Sequence, residues 1–406
     1  MIGFCLAAGA GSRLLPLTRV TPKPLLAPAG RPLVDLAVEA LLRAGATRVV
    51  VNAHHGADLL IAHLAGRPRV EVVVEPVLLG TGGGLVNAAH LGLLGAAGDP
   101  VLVTAADHVV DPADLAALAA FLDWSGAPMA AGLVPATVDP FALRLEREAP
   151  DPSTGLWTAA NPLVPGELRS PTGGPAAAGR GSSLPAGQVA AMGGRPGAAG
   201  RGSHLDRGEA AGGGWVARDP EGPWDSAGVY ALRAGPLLDL EPGPATLVER
   251  VLGPLLDAGQ LAGLPFRGPL ADAGTLDRLL DVSAGLLAGR WPYDPPAGQV
   301  RRDLGNGPVF VDDGAEADPA AVLTGPVVLD AGSRVGAGAV VTRAVVGPGA
   351  VVGPGALVVG SFLGPGAVVP PGATVTAALV PGPPGQRASP IHPGARRPER
   401  RGDPAG

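Results

Sequence analysis

A glycine-rich loop and a solitary lysine are the first residues of this chain whose types and spacing could do chemistry. The stretch LAAGAGSRLLPLTRVTPKPLL, residues 6–26, sets Gly9, Gly11 and Ser12 directly after an apolar run, and its Lys23 is the only lysine in the sequence. Backbone N–H groups left free by such a loop can cradle phosphate, and glycine lets the ligand approach the main chain closely. Neither common nucleotide motif is present: Leu14 stands where G-x-G-x-x-G needs its last glycine, and no G-K-[ST] follows. Asp107, in VLVTAADHVVD, follows another apolar run. His54, His55 and His108 lack the Cys/His spacing of a metal site and are read as surface or supporting residues. Cys5, inside an apolar run, is read as a buried core thiol.

Elements must hold these residues in place. Short β-like runs at 2–7, 48–52, 70–75, 100–104 and 129–134 alternate with helical apolar spacing at 34–43, 58–64, 84–94 and 111–124. This rhythm predicts an α/β fold, a doubly wound and mostly parallel sheet that gathers ligands at the carboxyl ends of its strands. The glycine loop after the first strand and Asp107 after the fourth then share one edge. Residues 165–214 are Gly, Ala, Pro, Ser and Arg without aliphatic periodicity; they bury too little apolar area to offset their ordering entropy and are read as a disordered insertion. It separates the two parts of one domain, 1–164 and 215–290. WDSAGVYALR then reads as a strand and ATLVERVLGPLLDAG as helical.

Further on, a short period appears. Val311, Ala317, Leu323, Leu329, Val335 and Val341 are six residues apart; after a step of five come Val346, Val352 and Val358, and after another Leu363, Val369 and Val375. With the recurring VGPGA and LGPGA turns, this predicts a parallel β-helix over residues 305–380. The Pro/Gly/Arg-rich tail, 381–406, is expected to be disordered.

LAAGAGSRLLPLT followed by PKPLL resembles the signature of the sugar-1-phosphate nucleotidylyltransferases, which make nucleotide sugars from a nucleoside triphosphate and a sugar 1-phosphate. LLGTGGGL, residues 78–85, is similar to the family's base-recognition loop, and GPLADAGTLDRLLD to the segment carrying its second aspartate. The resemblance covers about residues 1–290, and a left-handed β-helix of hexapeptide repeats is common in the family. It implies that Leu6, Ala7, Ala8, Gly9, Gly11 and Ser12 wrap the triphosphate and that backbone groups of Gly80, Thr81 and Gly82 read the nucleobase edge. It also implies that Arg13 and Lys23 stabilise the reacting phosphates, and that Asp107 and Asp272 hold Mg²⁺, which needs only one or two protein carboxylates beside phosphate oxygens.

LGTGGGL with a hexad domain looks most like the mannose-1-phosphate guanylyltransferases. The lack of a Glu-Lys-Pro segment, together with GTLDRL, looks like the N-acetylmuramate-1-phosphate uridylyltransferases. A regulatory homologue that binds nucleotide sugar without turnover is a further alternative, open because the family's second lysine is missing. Acetyl transfer by the coils is set aside, since no histidine lies between residues 309 and 375.

A formal net charge of −6 and a pI near 5.7 give no general basic face for nucleic acid or membrane, so the expected partners are the two small substrates. MIGFCL lacks a basic n-region and its apolar run breaks at Gly9, so the expected location is cytoplasmic. Flat β-helix faces are surfaces on which copies of the chain can associate.

Overall fold

The computed structural model describes residues 1–135, 214–216, 224–293, 298–301, 307–312 and 314–383, with the short paired strands Arg169–Ser170 and Gly174–Pro175. The rest of the segment read as a disordered insertion, and the tail from 384 onward, lie outside the described residues.

The N-terminal elements are β1 (Ile2–Leu6), α1 (Leu33–Arg43), β2 (Arg48–Ala53), α2 (Ala57–Leu64), β3 (Val70–Val74), α3 (Gly80–His90), β4 (Pro100–Ala105), β5 (His108–Val110), α4 (Pro112–Ser125) and β6 (Met129–Pro135). Then follow β7 (Trp224–Arg233), β8 (Leu261–Pro265), β9 (Leu270–Asp272) and α5 (Leu276–Leu287). The main sheet runs β3-β2-β1-β4-β7-β6-β8, with Gly214–Trp215 on its far edge. β1 lies parallel to both β2 and β4, β7 is antiparallel to β4 and β6, and β8 is parallel to β6, so the sheet is mixed.

Central strands covered on both faces carry continuous apolar runs, as IGFCL and the VVV of RVVVNA do, and their alternate residues feed two cores. Cys5, Val49, Val51 and Leu102 pack under α1 and α4, whereas Phe4, Val50, Val101 and Val103 pack under α3. α4 starts where Asp111 accepts the Ala113 N–H at 2.9 Å and Pro112 presets the first helical φ. Burial pushes the Cys5 thiol far up, which keeps it protonated and inert.

Helix α3 is the main departure from sequence expectation. It begins at Gly80 and carries all four glycines of GTGGGL, although glycine is a poor helix former. Packing overrides propensity here: a side chain at Gly82 or Gly83 would overlap the carbonyl oxygens of Thr246 or Gly243. The segment 243–247 also binds the helix start directly, Gly82 and Gly83 both donating to the Ala245 oxygen at 3.0 Å.

In the C-terminal half, short parallel strands form three ladders. Leu323, Val341, Val358 and Val375 are successive partners in one. Val311, Leu329, Val346 and Leu363 follow one another in the second, and Ala317, Val335, Val352 and Val369 in the third. Every hexad position anticipated from sequence therefore falls on a ladder, an arrangement compatible with a β-helix. Val335, Val341, Val346, Val352, Val358, Leu363 and Val369 share its core. A further core joins the two halves: Leu14 and Leu17 of the glycine loop and Leu279 and Leu280 of α5 pack with Phe310, Val328, Val345 and Phe362 of the ladders. Among the described residues, no helix is long and apolar enough to cross a membrane.

Candidate active site

β1 ends at Leu6, and the chain leaves the sheet edge as a loop. Gly11, at φ 63°, turns it into a 3-10 helix, Ser12–Leu14, and Thr18 Oγ1 closes the turn on the Gly11 carbonyl oxygen at 3.1 Å. A side chain at Gly11 would press against Lys23 and Thr18. The N–H groups of Gly9, Gly11 and Ser12 have no protein partner among the described residues, as a phosphate cradle requires. Lys23 stands between Pro22 and Pro24 and opens a third 3-10 helix, Lys23–Leu25, after Leu17–Arg19, so its backbone is flanked by fixed proline φ angles on both sides.

The loop forms one wall of a cleft of about 350 Å³. Leu6, Ala7, Ala8, Gly9, Gly11, Ser12, Arg13 and Lys23 line it on one side, Leu78, Gly80 and Thr81 on another, and Asp107 and Gly274 at one end. Gly82 is not in this lining: its N–H is committed to Ala245, and the Thr81 hydroxyl accepts the Leu247 N–H at 2.8 Å.

Asp107 follows β4, where Ala106 donates to the Leu6 carbonyl oxygen at 2.9 Å and so ties the two strand ends together. Asp272 arrives from far along the chain through the two-stranded pairing of β9 with β5, which sets it opposite His108. The Ala273 N–H then donates to the Asp107 carbonyl oxygen at 2.9 Å. Lys23 Nζ pairs with Asp107 and lies 4.0 Å from Asp272 Oδ1, while Arg278 of α5 holds Asp272 Oδ2 at 2.8 Å. A side chain at Gly274 would strike Asp272 and the Arg13 guanidinium, which places Arg13 at the same end of the cleft. Arg13 has no acidic partner among the described residues and is exposed.

Burial by itself would raise the Asp107 carboxyl. The neighbouring His108 and Lys23, with the Lys23 hydrogen bond, outweigh it and hold the group at about 2. Asp272 Oδ1 is buried without a hydrogen-bond partner, and ligand atoms of Asp107, His108 and Asp272 all lie within 4.8 Å of one another. Two adjacent carboxylates, one with an orphaned oxygen, fit a hard divalent cation.

His108 belongs to this group although the sequence offered no spacing signal for it; its Nδ1 is buried and unpaired. His54 and His55 instead bind the carbonyl oxygens of Glu75 and Thr18, at 2.8 and 3.0 Å. Asn52 and Gly274 also line the cleft and were missed, Asn52 because it closes an apolar strand. The region around 145–175, where the resemblance places the missing Glu-Lys-Pro segment, falls almost wholly outside the described residues.

Residues 2–140 match the family model for nucleotidyl transferases. Over 115 residues the chain is 42% identical to the N-acetylmuramate alpha-1-phosphate uridylyltransferase of Caulobacter vibrioides, covering 27% of this chain and 46% of that protein. The enzyme of the same description from Neisseria meningitidis is 39% identical over 117 residues, 27% of this chain and 48% of its own. The mannose-1-phosphate guanyltransferase of Aspergillus fumigatus is 35% identical over 116 residues, 27% of this chain and 31% of its own. The chain thus spans less than half the length of these relatives. The matched nucleotidyl transferase region contains the glycine loop, Arg13, Lys23, the Gly80 turn and Asp107; Asp272 lies beyond it.

Proposed function

We propose that the protein is a sugar-1-phosphate nucleotidylyltransferase, forming an NDP-sugar and pyrophosphate from a nucleoside triphosphate and a sugar 1-phosphate. One observation carries this reading: Arg13, Lys23, Asp107 and Asp272, from three distant segments, converge at one end of a cleft walled by free backbone N–H groups. Positioning and charge stabilisation at that end are what phosphoryl-group chemistry needs, and no protein nucleophile is required.

A phosphate oxygen of the sugar 1-phosphate attacks the α-phosphorus in line. The bond from that phosphorus to the bridging oxygen breaks, and pyrophosphate leaves with the electron pair. The N–H groups of Gly9, Gly11 and Ser12 bind the triphosphate, and Arg13 meets the charge that grows on the leaving group. Lys23 presents a compact ammonium between phosphates, a role the wider, planar guanidinium of arginine fills poorly. Asp107 and Asp272 would hold Mg²⁺, which supplies charge neutralisation on phosphate oxygens.

GTP with mannose 1-phosphate is the first substrate pair, on the LGTGGGL loop combined with repeats that we read as a left-handed β-helix. UTP with N-acetylmuramate 1-phosphate is the second, favoured by the 42% and 39% identities to uridylyltransferases. Pyrophosphate release by the full chain, measured over a panel of nucleoside triphosphates and sugar 1-phosphates, decides between them. Lys23→Arg and Asp107→Ala should each lower turnover about 10²-fold or more, the scale set by loss of one electrostatic stabiliser. Wild-type turnover in Lys23→Arg would remove the assigned role of the lone lysine.

A further inference from the structure

Asn52, itself part of the cleft lining, and Glu75 are each 1% exposed and carry none of the roles assigned above. Asn52 Oδ1 accepts the Ala7 N–H at 2.7 Å, Asn52 Nδ2 donates to Glu75 Oε1 at 2.7 Å, and Glu75 Oε2 accepts the Leu79 N–H at 3.0 Å. Ala7 leads into the glycine loop, and Leu79 immediately precedes α3. We propose that Glu75 and Asn52 are positioning residues, a buried polar bridge that fixes the separation of the glycine loop from the start of α3 and thereby the width of the nucleotide cleft. The functional half of this inference rests on the proposed nucleotidyl transfer.

The chemistry of the bridge follows from its ends. Ala7 and Leu79 both present N–H donors, one to each end of the Asn52–Glu75 pair. An amide side chain accepts at one end and donates at the other, so it relays polarity without reversing it. Two opposed donors therefore need one group that accepts at both ends, and a carboxylate is that group. Glu75 supplies it, and Asn52 is the relay. Glutamine at 75 puts donor against donor somewhere along the chain; aspartate at 52 puts carboxylate against carboxylate.

A separate observation shows that space has been kept for this bridge. A Cβ at Gly84 would lie 2.4 Å from Glu75 Oε1 and 2.7 Å from Asn52 Nδ2. The last glycine of TGGG thus leaves room for the two side chains, in the middle of a helix where alanine is otherwise the better residue.

A swap tests the bridge. Glu75→Gln and Asn52→Asp each break the donor–acceptor order, whereas the two together restore it. The new carboxylate then accepts from Ala7 and from the new amide, whose oxygen faces Leu79. Each single variant should raise KM for the nucleoside triphosphate about tenfold while kcat changes less, the scale of one buried polar group left unpaired. The combined variant should return to within about threefold of wild type. Amide hydrogen exchange at Ala7 and Leu79, read on ligand-free protein, should quicken in both single variants and recover in the double. Wild-type KM and exchange in the single variants, or a double no better than the worse single, would overturn the bridge. Because exchange needs no substrate, a wild-type protein without turnover counts against the proposed function alone and leaves the bridge to be judged by its amides.

Discussion

Gly9 and Gly11 stand two residues apart in the same loop and are glycines for different reasons. Gly11 has a positive φ and close neighbours, so the fold itself requires it. Gly9 has an ordinary φ and nothing within 4 Å of the place a Cβ would take, so the folded protein would accept a methyl group there. What a methyl would obstruct is a ligand approaching the main chain. Gly9→Ala should therefore leave the melting temperature within a degree or two of wild type while raising KM for the nucleoside triphosphate about tenfold or more, as calorimetry and steady-state kinetics can check. This distinction was not legible in the sequence, where both glycines read alike. Lys23 was legible, since a lone lysine among arginines needs no coordinates to be noticed. His108 was not, because what brings it beside Asp272 is a long-range pairing of β5 with β9 that leaves no local spacing.

At the scale of elements, the strands were read nearly to their ends because buried parallel strands announce themselves as apolar runs. The start of α3 was not, since local propensity argues against a helix of glycines and only contact with 243–247 selects one. Helices α1 and α2 are joined by a second feature invisible in sequence: Asp35 receives His63 Nε2 and Arg67, both at 2.7 Å. Burial pushes the Asp35 carboxyl up, but the hydrogen bonds and charges of His63 and Arg67 prevail and hold it below its ordinary value. A carboxyl lowered in the folded state contributes stability above its unfolded value, near 4, and that contribution is lost as pH falls through the folded value. Asp35→Asn should accordingly cost about 1–3 kcal/mol at pH 7. The gap from wild type, measured by urea unfolding across pH, should close as pH falls below about 4.

For the whole molecule, the hexad positions read from sequence all fall on the three ladders, but nothing in the period foretold that the repeats would share a core with the loop carrying Arg13 and Lys23. Leu14 and Leu17 pack into the same cluster as Phe362, and a side chain at Gly364 would reach Leu17. The repeat half thus backs the candidate active site. Arg343 adds ion pairs to Asp277 and Asp281 of α5, but these are exposed and contribute little to stability. Phe362→Ala should cost about 3–5 kcal/mol and lower kcat together with the melting temperature. Val352→Ala, buried in the repeat core alone, should lower the melting temperature without lowering kcat. The central claim, nucleotidyl transfer at the convergence of Arg13, Lys23, Asp107 and Asp272, is tested most directly by following the α-phosphate. The full chain is incubated with Mg²⁺, a nucleoside triphosphate labelled at that phosphate and a sugar 1-phosphate. Label appearing in a nucleotide sugar, with one pyrophosphate released per label transferred, is the predicted result; label remaining in free nucleotide for every pair in the panel would contradict it.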